Sequence, residues 1–175
     1  MSQKVSGVFS TVQDLREYLD AWHPNKKIFA TSGGFDPVHV GHLRCFKEMK
    51  ALSEQHDVCA VTVAIVNGDG FLERKKGFAF MHEKERLEII SGFSSIDYAV
   101  LWKDESQTVC GALEILRPDF FCKGGDRDSF QNVPESKVCE AIECQVLFNV
   151  GGGKVQSSSS LVSRMKSFGK GSLNI

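Results

Sequence analysis

The 175-residue chain has no run of about 18 apolar residues, so no segment reads as a membrane-spanning helix. Its first residues, MSQKVSGVFSTVQDLREYL, lack the apolar core of a secretory signal. Neither sign of charge dominates: 21 Lys and Arg face 22 Asp and Glu, for a formal net charge of −1. No basic field therefore marks nucleic acid as a partner. The six cysteines (Cys45, Cys59, Cys110, Cys122, Cys139 and Cys144) form no CxxC pair. Several sit in apolar runs such as DVCAVTVAIV, and we read them as buried free thiols of a protein in a reducing cytoplasm. No metal-ligand set, internal repeat or long linker is evident. What is present is ordinary for one globular domain with a real core: 42% hydrophobic and 25% charged residues.

Helical and strand patterns alternate along the chain. Residues 11–21 read as an amphipathic helix capped by Ser10 or Thr11. Residues 27–31 (KIFAT) read as a short strand, and 40–52 as a helix. The run 58–66 is almost all apolar and β-branched, as in a strand buried on both faces. Residues 67–80 are polar and Gly-rich, and are expected as a loop. Helices are expected over 82–92, over 106–116 before Pro118, over 134–142 and over about 158–168. Strands are expected over 96–102, 119–122 and 145–149. Five strands alternating with helices predict one doubly wound parallel sheet.

The stretch GGFDPVHVGH follows the first expected strand and opens the next helix. Such sheets carry their sites at the carboxyl ends of strands, near the switch in strand order. Gly33 and Gly34 can take positive φ and admit a ligand to the backbone. At Gly41, in the first helical turn, a Cβ would block an incoming phosphate. The helix start offers unpaired N–H groups and the positive end of the dipole. His39 and His42 are three apart, so both rings can face one side of that turn. Two imidazole donors beside a helix N-terminus suit a polyphosphate. A surface pair or a weak zinc site are the plainer readings, although no third and fourth ligand is evident.

These residues resemble the HxGH signature of the nucleotidyltransferase superfamily, which includes the cytidylyltransferases and phosphopantetheine adenylyltransferase. Class I aminoacyl-tRNA synthetases share the motif, but this chain is short and carries no KMSKS-like sequence. VNGDGFLERKKG is similar to the NSD…RxKG segment of the ADP-heptose synthase adenylyltransferase domain. EKERLEIISGFSSIDYAV resembles that domain's ER-containing helix and following strand, and LRPDFFCKGGD resembles its KPDxLVKGGD. VQSSSSLVSR falls where that family has a GxSTT stretch, and the lead-in TVQDLREYLDAWHPNKKIFATSGGFD is similar to its first helix and strand. Glycerol-3-phosphate cytidylyltransferase carries RTxGISTT where this chain has NVGGGKVQSSSS. The chain departs from the heptose family in having serines for threonines and SGGFD for NG(C/V)FD. Its FDPVH wording leans toward nicotinate-mononucleotide-type adenylyltransferases.

The resemblance implies one α/β domain over residues 1–175, a single Rossmann-like doubly wound parallel five-stranded sheet. Residues 1–26 would be a helical lead-in and 169–175 a tail. It implies transfer of a nucleotidyl group from an NTP, with ATP favoured, to a sugar phosphate such as heptose 1-phosphate, releasing pyrophosphate. A glycerol-3-phosphate-type cytidylyltransferase using CTP is one alternative, and a nucleotide-binding regulator on the same fold is another. Mg2+ would ride on the NTP phosphates. The partners would be the NTP and a small phosphorylated sugar or polyol, without nucleic acid or membrane, and the expected assembly is a homodimer.

His39, His42 and Lys123 are the expected catalytic residues. Gly33, Gly34, Phe35, Asp36, Gly41, Gly124, Asp126, Ser157, Ser158, Ser159 and Ser160 are expected at the nucleotide. Asp69, Arg74, Lys75, Lys76 and Arg86 are expected at the acceptor. Each has a plainer reading: an Asx-type turn for Asp36, a solvated charge run for 74–76, a structural ion pair for Arg86. KGGD can be a tight turn alone, and the serine run low complexity.

Overall fold

The computed structural model describes residues 7–56, 59–125 and 134–169. Among them, six strands form one parallel sheet: β1 (Gly7–Phe9), β2 (Ile28–Gly33), β3 (Val61–Asn67), β4 (Tyr98–Trp102), β5 (Phe120–Cys122) and β6 (Gln145–Leu147). Their order is β1-β4-β3-β2-β5-β6. The helices are α1 (Val12–Trp22), α2 (Val40–His56), α3 (Asp69–Lys76), α4 (Glu83–Ser91), α5 (Cys110–Leu116), α6 (Ser136–Ala141) and α7 (Ser158–Gly169).

The sheet separates two apolar layers. On one face Val61, Val63 and Ile65 of β3 pack with Leu15 and Leu19 of α1 and with Leu113 and Leu116 of α5. On the other, Ala64 and Val66 pack with Phe46 and Met49 of α2 and with Leu87 and Ile90 of α4. All seven residues of β3 are buried, as the nearly continuous apolar run predicts for a central strand covered on both sides. The chain moves from β2 through β3 to β4 on one side, then returns to place β5 against the other edge of β2. The switch crevice therefore opens between the carboxyl ends of β2 and β5. Thr31 Oγ1 donates to the Cys122 carbonyl at 2.9 Å and ties the two strand ends together.

Several expectations are corrected. The sheet has six strands, because Gly7–Phe9 adds a short edge strand beside Tyr98–Val100. Residues 69–76 are a helix rather than a loop: Phe71 and Leu72 bury its inner side, and Gly77 ends it at φ 84°. Helix α5 starts at Cys110, since the hydroxyls of Ser106 and Thr108 bond within a turn around Asp104. Thr11 caps α1, its hydroxyl accepting the Asp14 N–H at 3.1 Å. Of the cysteines, Cys45, Cys122, Cys139 and Cys144 are buried, Cys110 is half-buried and Cys59 is exposed; none of the six is in a disulfide. Among the described residues, no helix is long and apolar enough to cross a membrane.

Candidate active site

A cavity of about 670 Å³ occupies the switch crevice. Its walls come from the β2–α2 loop, the end of β5, the segment before α7 and the last turn of α3. His39 and His42 stand on one wall, Lys123 and Gly124 on the opposite strand end, and Lys75, Lys76 and Ser157–Ser159 close the rim.

The two histidines are held as a pair. Their rings stack at 3.8 Å, and Phe35 meets His42 edge-on at 5.1 Å. The Gly41 N–H donates to His39 Nδ1 at 3.1 Å, and the His39 N–H donates to His42 Nδ1 at 3.3 Å. A ring nitrogen that accepts carries no proton, so the neutral rings hold theirs on Nε2 and can only donate from there. Burial pushes the His42 pKa down to about 3, with His39 and Lys76 adding to the shift. Burial, then Lys76, lowers the His39 pKa as well. Both rings are thus neutral donors at pH 7. An added Cβ at Gly41 would come within 2.9 Å of the His39 ring, so the glycine is needed first for the histidine's own position.

Phe35 takes a positive φ of 51° and turns its ring under the site. Asp36 is 2% exposed and points away from the large cavity; its two oxygens accept the N–H groups of Phe80 and Met81, each at 2.7 Å. It binds the histidine loop to the segment before α4. Arg86 does the same from beneath. Fully buried, it donates to the carbonyls of Gly34 at 2.6 Å, Asn67 at 2.7 Å and Met81 at 2.9 Å, and to Asp69 Oδ1 at 2.7 Å. Arg86 and Asp69 therefore form a structural pair under the loops and do not line the cavity, against the expectation of acceptor contact. His82 adds its Nδ1 to Asp69 Oδ2 at 2.8 Å. Arg74 also turns away, donating to the carbonyls of Asp104 and, at 3.4 Å, Ser106. Of the basic run, Lys75 and Lys76 reach the cavity.

Lys123, 9% exposed, lies 3.4 Å from Glu135 Oε2 and 4.5 Å from the centre of the Phe121 ring. Gly125 takes φ 82°, so KGG is both a turn and a strand end that presents the lysine. Asp126 lies outside the described residues. Ser157 caps α7, its hydroxyl accepting the Ser160 N–H at 3.1 Å. The Ser158 hydroxyl donates to the Pro37 carbonyl at 2.9 Å and fastens α7 to the histidine loop. Ser160 bonds back to Ser157 and does not line the cavity.

Sequence reasoning missed Asn67, Glu135, Gln107 and Lys154, all on the cavity wall. Asn67 is 5% exposed and its Oδ1 has no protein partner. It ends the apolar strand β3 as a buried polar residue at the carboxyl edge, a signal that could have singled it out. The glycine loop before Lys154 is shaped by packing: a Cβ on Gly151 would lie 2.5 Å from the Cys45 backbone nitrogen, and its N–H donates to Glu48 at 2.6 Å.

Curated relatives and solved structures resemble this chain. The bifunctional protein HldE of Citrifermentans bemidjiense is 34% identical over 118 residues, covering 66% of this chain and 22% of that protein. HldE of Marinomonas sp. is 35% identical over 127 residues, 69% of this chain and 24% of that one. The chain thus spans about a quarter of the length of these curated relatives. The crystal structure of the lipopolysaccharide core biosynthesis protein from Thermoplasma volcanium is 22% identical. It superposes with a TM-score of 0.57 over 70% of this chain and 95% of that one, a likeness of fold. The cytidylyltransferase-like family model matches residues 30–161, from β2 through the opening of α7, and the chain belongs to that family of nucleotidyltransferases.

Proposed function

We propose that the chain transfers an adenylyl group from ATP to the phosphate of a small sugar phosphate such as heptose 1-phosphate, releasing pyrophosphate. The observation that carries this reading is the pair of neutral, backbone-locked histidines facing a cavity whose cations are lysines. A phosphate monoester has a second pKa near 6 and is largely a dianion at pH 7, so it attacks without a general base. One of its oxygens forms the new bond to the α-phosphorus as the bond to the pyrophosphate oxygen breaks. The electron pair leaves with pyrophosphate. The protein's task is to hold the two phosphates in line and to meet the charge that grows on the leaving group.

His39 and His42 donate from Nε2 to that charge. Lys123, Lys75 and Lys76 hold phosphate oxygens as movable point charges. Gly33, Gly34 and Gly124 let the nucleotide approach the backbone, and Ser157–Ser159 with the start of α7 supply hydroxyl and N–H donors at the rim. Mg2+, when bound, neutralises part of the triphosphate charge. It would be held chiefly by the phosphate oxygens, the hard ligands that Mg2+ favours. The HldE likeness supports the acceptor class.

The test is pyrophosphate release with ATP and CTP against heptose 1-phosphate, glycerol 3-phosphate, phosphoethanolamine and nicotinate mononucleotide. Turnover with ATP and the sugar phosphate is expected. Preference for CTP and glycerol 3-phosphate would move the protein to that subfamily. Turnover only with nicotinate mononucleotide would refute the small-acceptor reading, and nucleotide binding without turnover on any acceptor would make the chain a regulator.

A further inference from the structure

A second cavity of about 300 Å³ adjoins the first. The two share Lys75, Lys76 and Ser159. Ser163 and Lys166 of α7 complete the polar wall of the second one, with Asp36 at its base.

Its charge is unbalanced. Three ammonium groups face one carboxylate, and both oxygens of that carboxylate already accept backbone N–H groups at 2.7 Å. The shift at Lys76 reports the same environment: burial lowers its pKa, Lys75 and Arg86 lower it further, and Asp36 opposes them. Ser159, Ser163 and Lys166 recur at i, i+4 and i+7, so they share one stripe of α7. The Lys166 ammonium is held 4.7 Å from the centre of the Phe78 ring, beside the cavity. A cation placed over an aromatic face is directed without being neutralised. Cations from two helices, two hydroxyls and a satisfied carboxylate make a pocket for a compact dianion.

The large cavity already has donors for the triphosphate and for the attacking phosphate. We propose that the second cavity binds a second phosphate monoester, at the far end of the acceptor, so that the preferred acceptor class is a sugar bisphosphate. This rests on the nucleotidyl-transfer reading and narrows it. Lys75 and Lys76, at the junction, would face both phosphates of one acceptor, while Ser163 and Lys166 would meet the distal one alone.

The experiment is calorimetric titration of the full chain with glucose 1-phosphate, glucose 1,6-bisphosphate and ATP, repeated with Lys166→Met and Ser163→Ala. The bisphosphate is expected to bind the wild type roughly tenfold tighter than the monophosphate, the worth of one or two charge-assisted hydrogen bonds. Lys166→Met should abolish that advantage, and Ser163→Ala should reduce it, with ATP binding unchanged in both. Equal affinity for the two sugars, or binding of neither, overturns the proposal. So does a loss of ATP affinity in Lys166→Met, which would assign the cavity to the terminal phosphate of the nucleotide. Failure of the transfer reading is seen separately, as absence of pyrophosphate release while the bisphosphate preference stands.

Discussion

Replacing His42 by alanine removes one donor from the leaving-group side of the cavity and leaves the loop's other anchors in place. Asp36 still accepts its two N–H groups, and Arg86 still holds the Gly34 carbonyl. Loss of one preorganised donor of this kind costs about 10²–10³ in kcat, or about 2.7–4 kcal/mol of transition-state stabilisation. The folding cost is a separate quantity. The ring gives up an edge-on contact with Phe35 and a stack on His39, of a kind worth about 0.5–1.5 kcal/mol each beyond area burial, and the long hydrogen bond from the His39 N–H. Saturating pyrophosphate-release assays and urea unfolding of the same preparation separate the two effects. A kcat within about threefold of wild type, in a folded variant, would refute the assignment of His42 to the leaving group.

The same residue makes a pH prediction. An exposed imidazole in the unfolded chain titrates near 6.5, and His42 in the fold is held down to about 3. Between those values the unfolded state binds the extra proton, so stability falls as the pH drops through that window. Above about 6.5 the His42 contribution is fully present. His42→Ala should flatten the acid slope of the unfolding free energy, and an unchanged slope would contradict the buried neutral ring. Activity should also lack an acid limb of histidine origin. Its acid limb should instead follow the acceptor phosphate near pH 6, and move upward with a phosphonate acceptor of higher second pKa.

Lys123→Met should lower kcat/KM at least about tenfold, or about 1.4 kcal/mol, and should also destabilise the fold by leaving Glu135 buried without its cation. The double change Lys123→Met with Glu135→Gln should regain stability and not turnover; recovery of both would reduce KGG to a turn. Arg86→Met should cost about 3–5 kcal/mol in denaturant unfolding, since it strips three carbonyls of their donor and leaves the Asp69 carboxylate with His82 alone. Arg86→Lys should rescue little, because one ammonium cannot span that fork; a loss below about 1 kcal/mol in Arg86→Met would contradict the anchoring role.

The sheet was legible because its central strands bury both faces. In VTVAIVN only Thr62 and the terminal Asn67 are polar, and the buried Thr62 hydroxyl is met by the Ser95 carbonyl and Asp97, so the pattern admits few alternatives. Strand β1 was not legible: three residues carry no period, and they form a strand only because β4 offers them an edge. Helix α3 hid for a related reason. It buries two apolar side chains and directs its charges to the Arg86 pair, loop carbonyls and the cavities, so the usual apolar stripe is missing and only the Gly77 stop marks it. At the site, the histidines, Lys123 and the glycines could be read because local chain geometry fixes them. Glu135 and Gln107 could not, because strand order brings them to the cavity from distant segments.

The division among the cations carries the deeper point. A charge count along VNGDGFLERKKG and EKERLEII treats Arg74, Lys75, Lys76 and Arg86 alike. In the fold they separate by chemistry. Arg86 and Arg74 donate to carbonyls that no lysine could bridge together, because a guanidinium offers five donors in a fixed plane. Arg86 joins the ends of β2 and β3, and Arg74 ties α3 to the loop after β4. Lys75 and Lys76 reach the cavities, where a compact charge on a flexible stem can follow a phosphate as its bonds change. A motif search that scores arginine and lysine as equals will assign the structural pair to substrate. Asking which basic side chains have several fixed acceptors around them, and which face open space, separates the two sets: Arg74 and Arg86 bond backbone carbonyls, while Lys75 and Lys76 face the cavities where the proposed phosphates would sit.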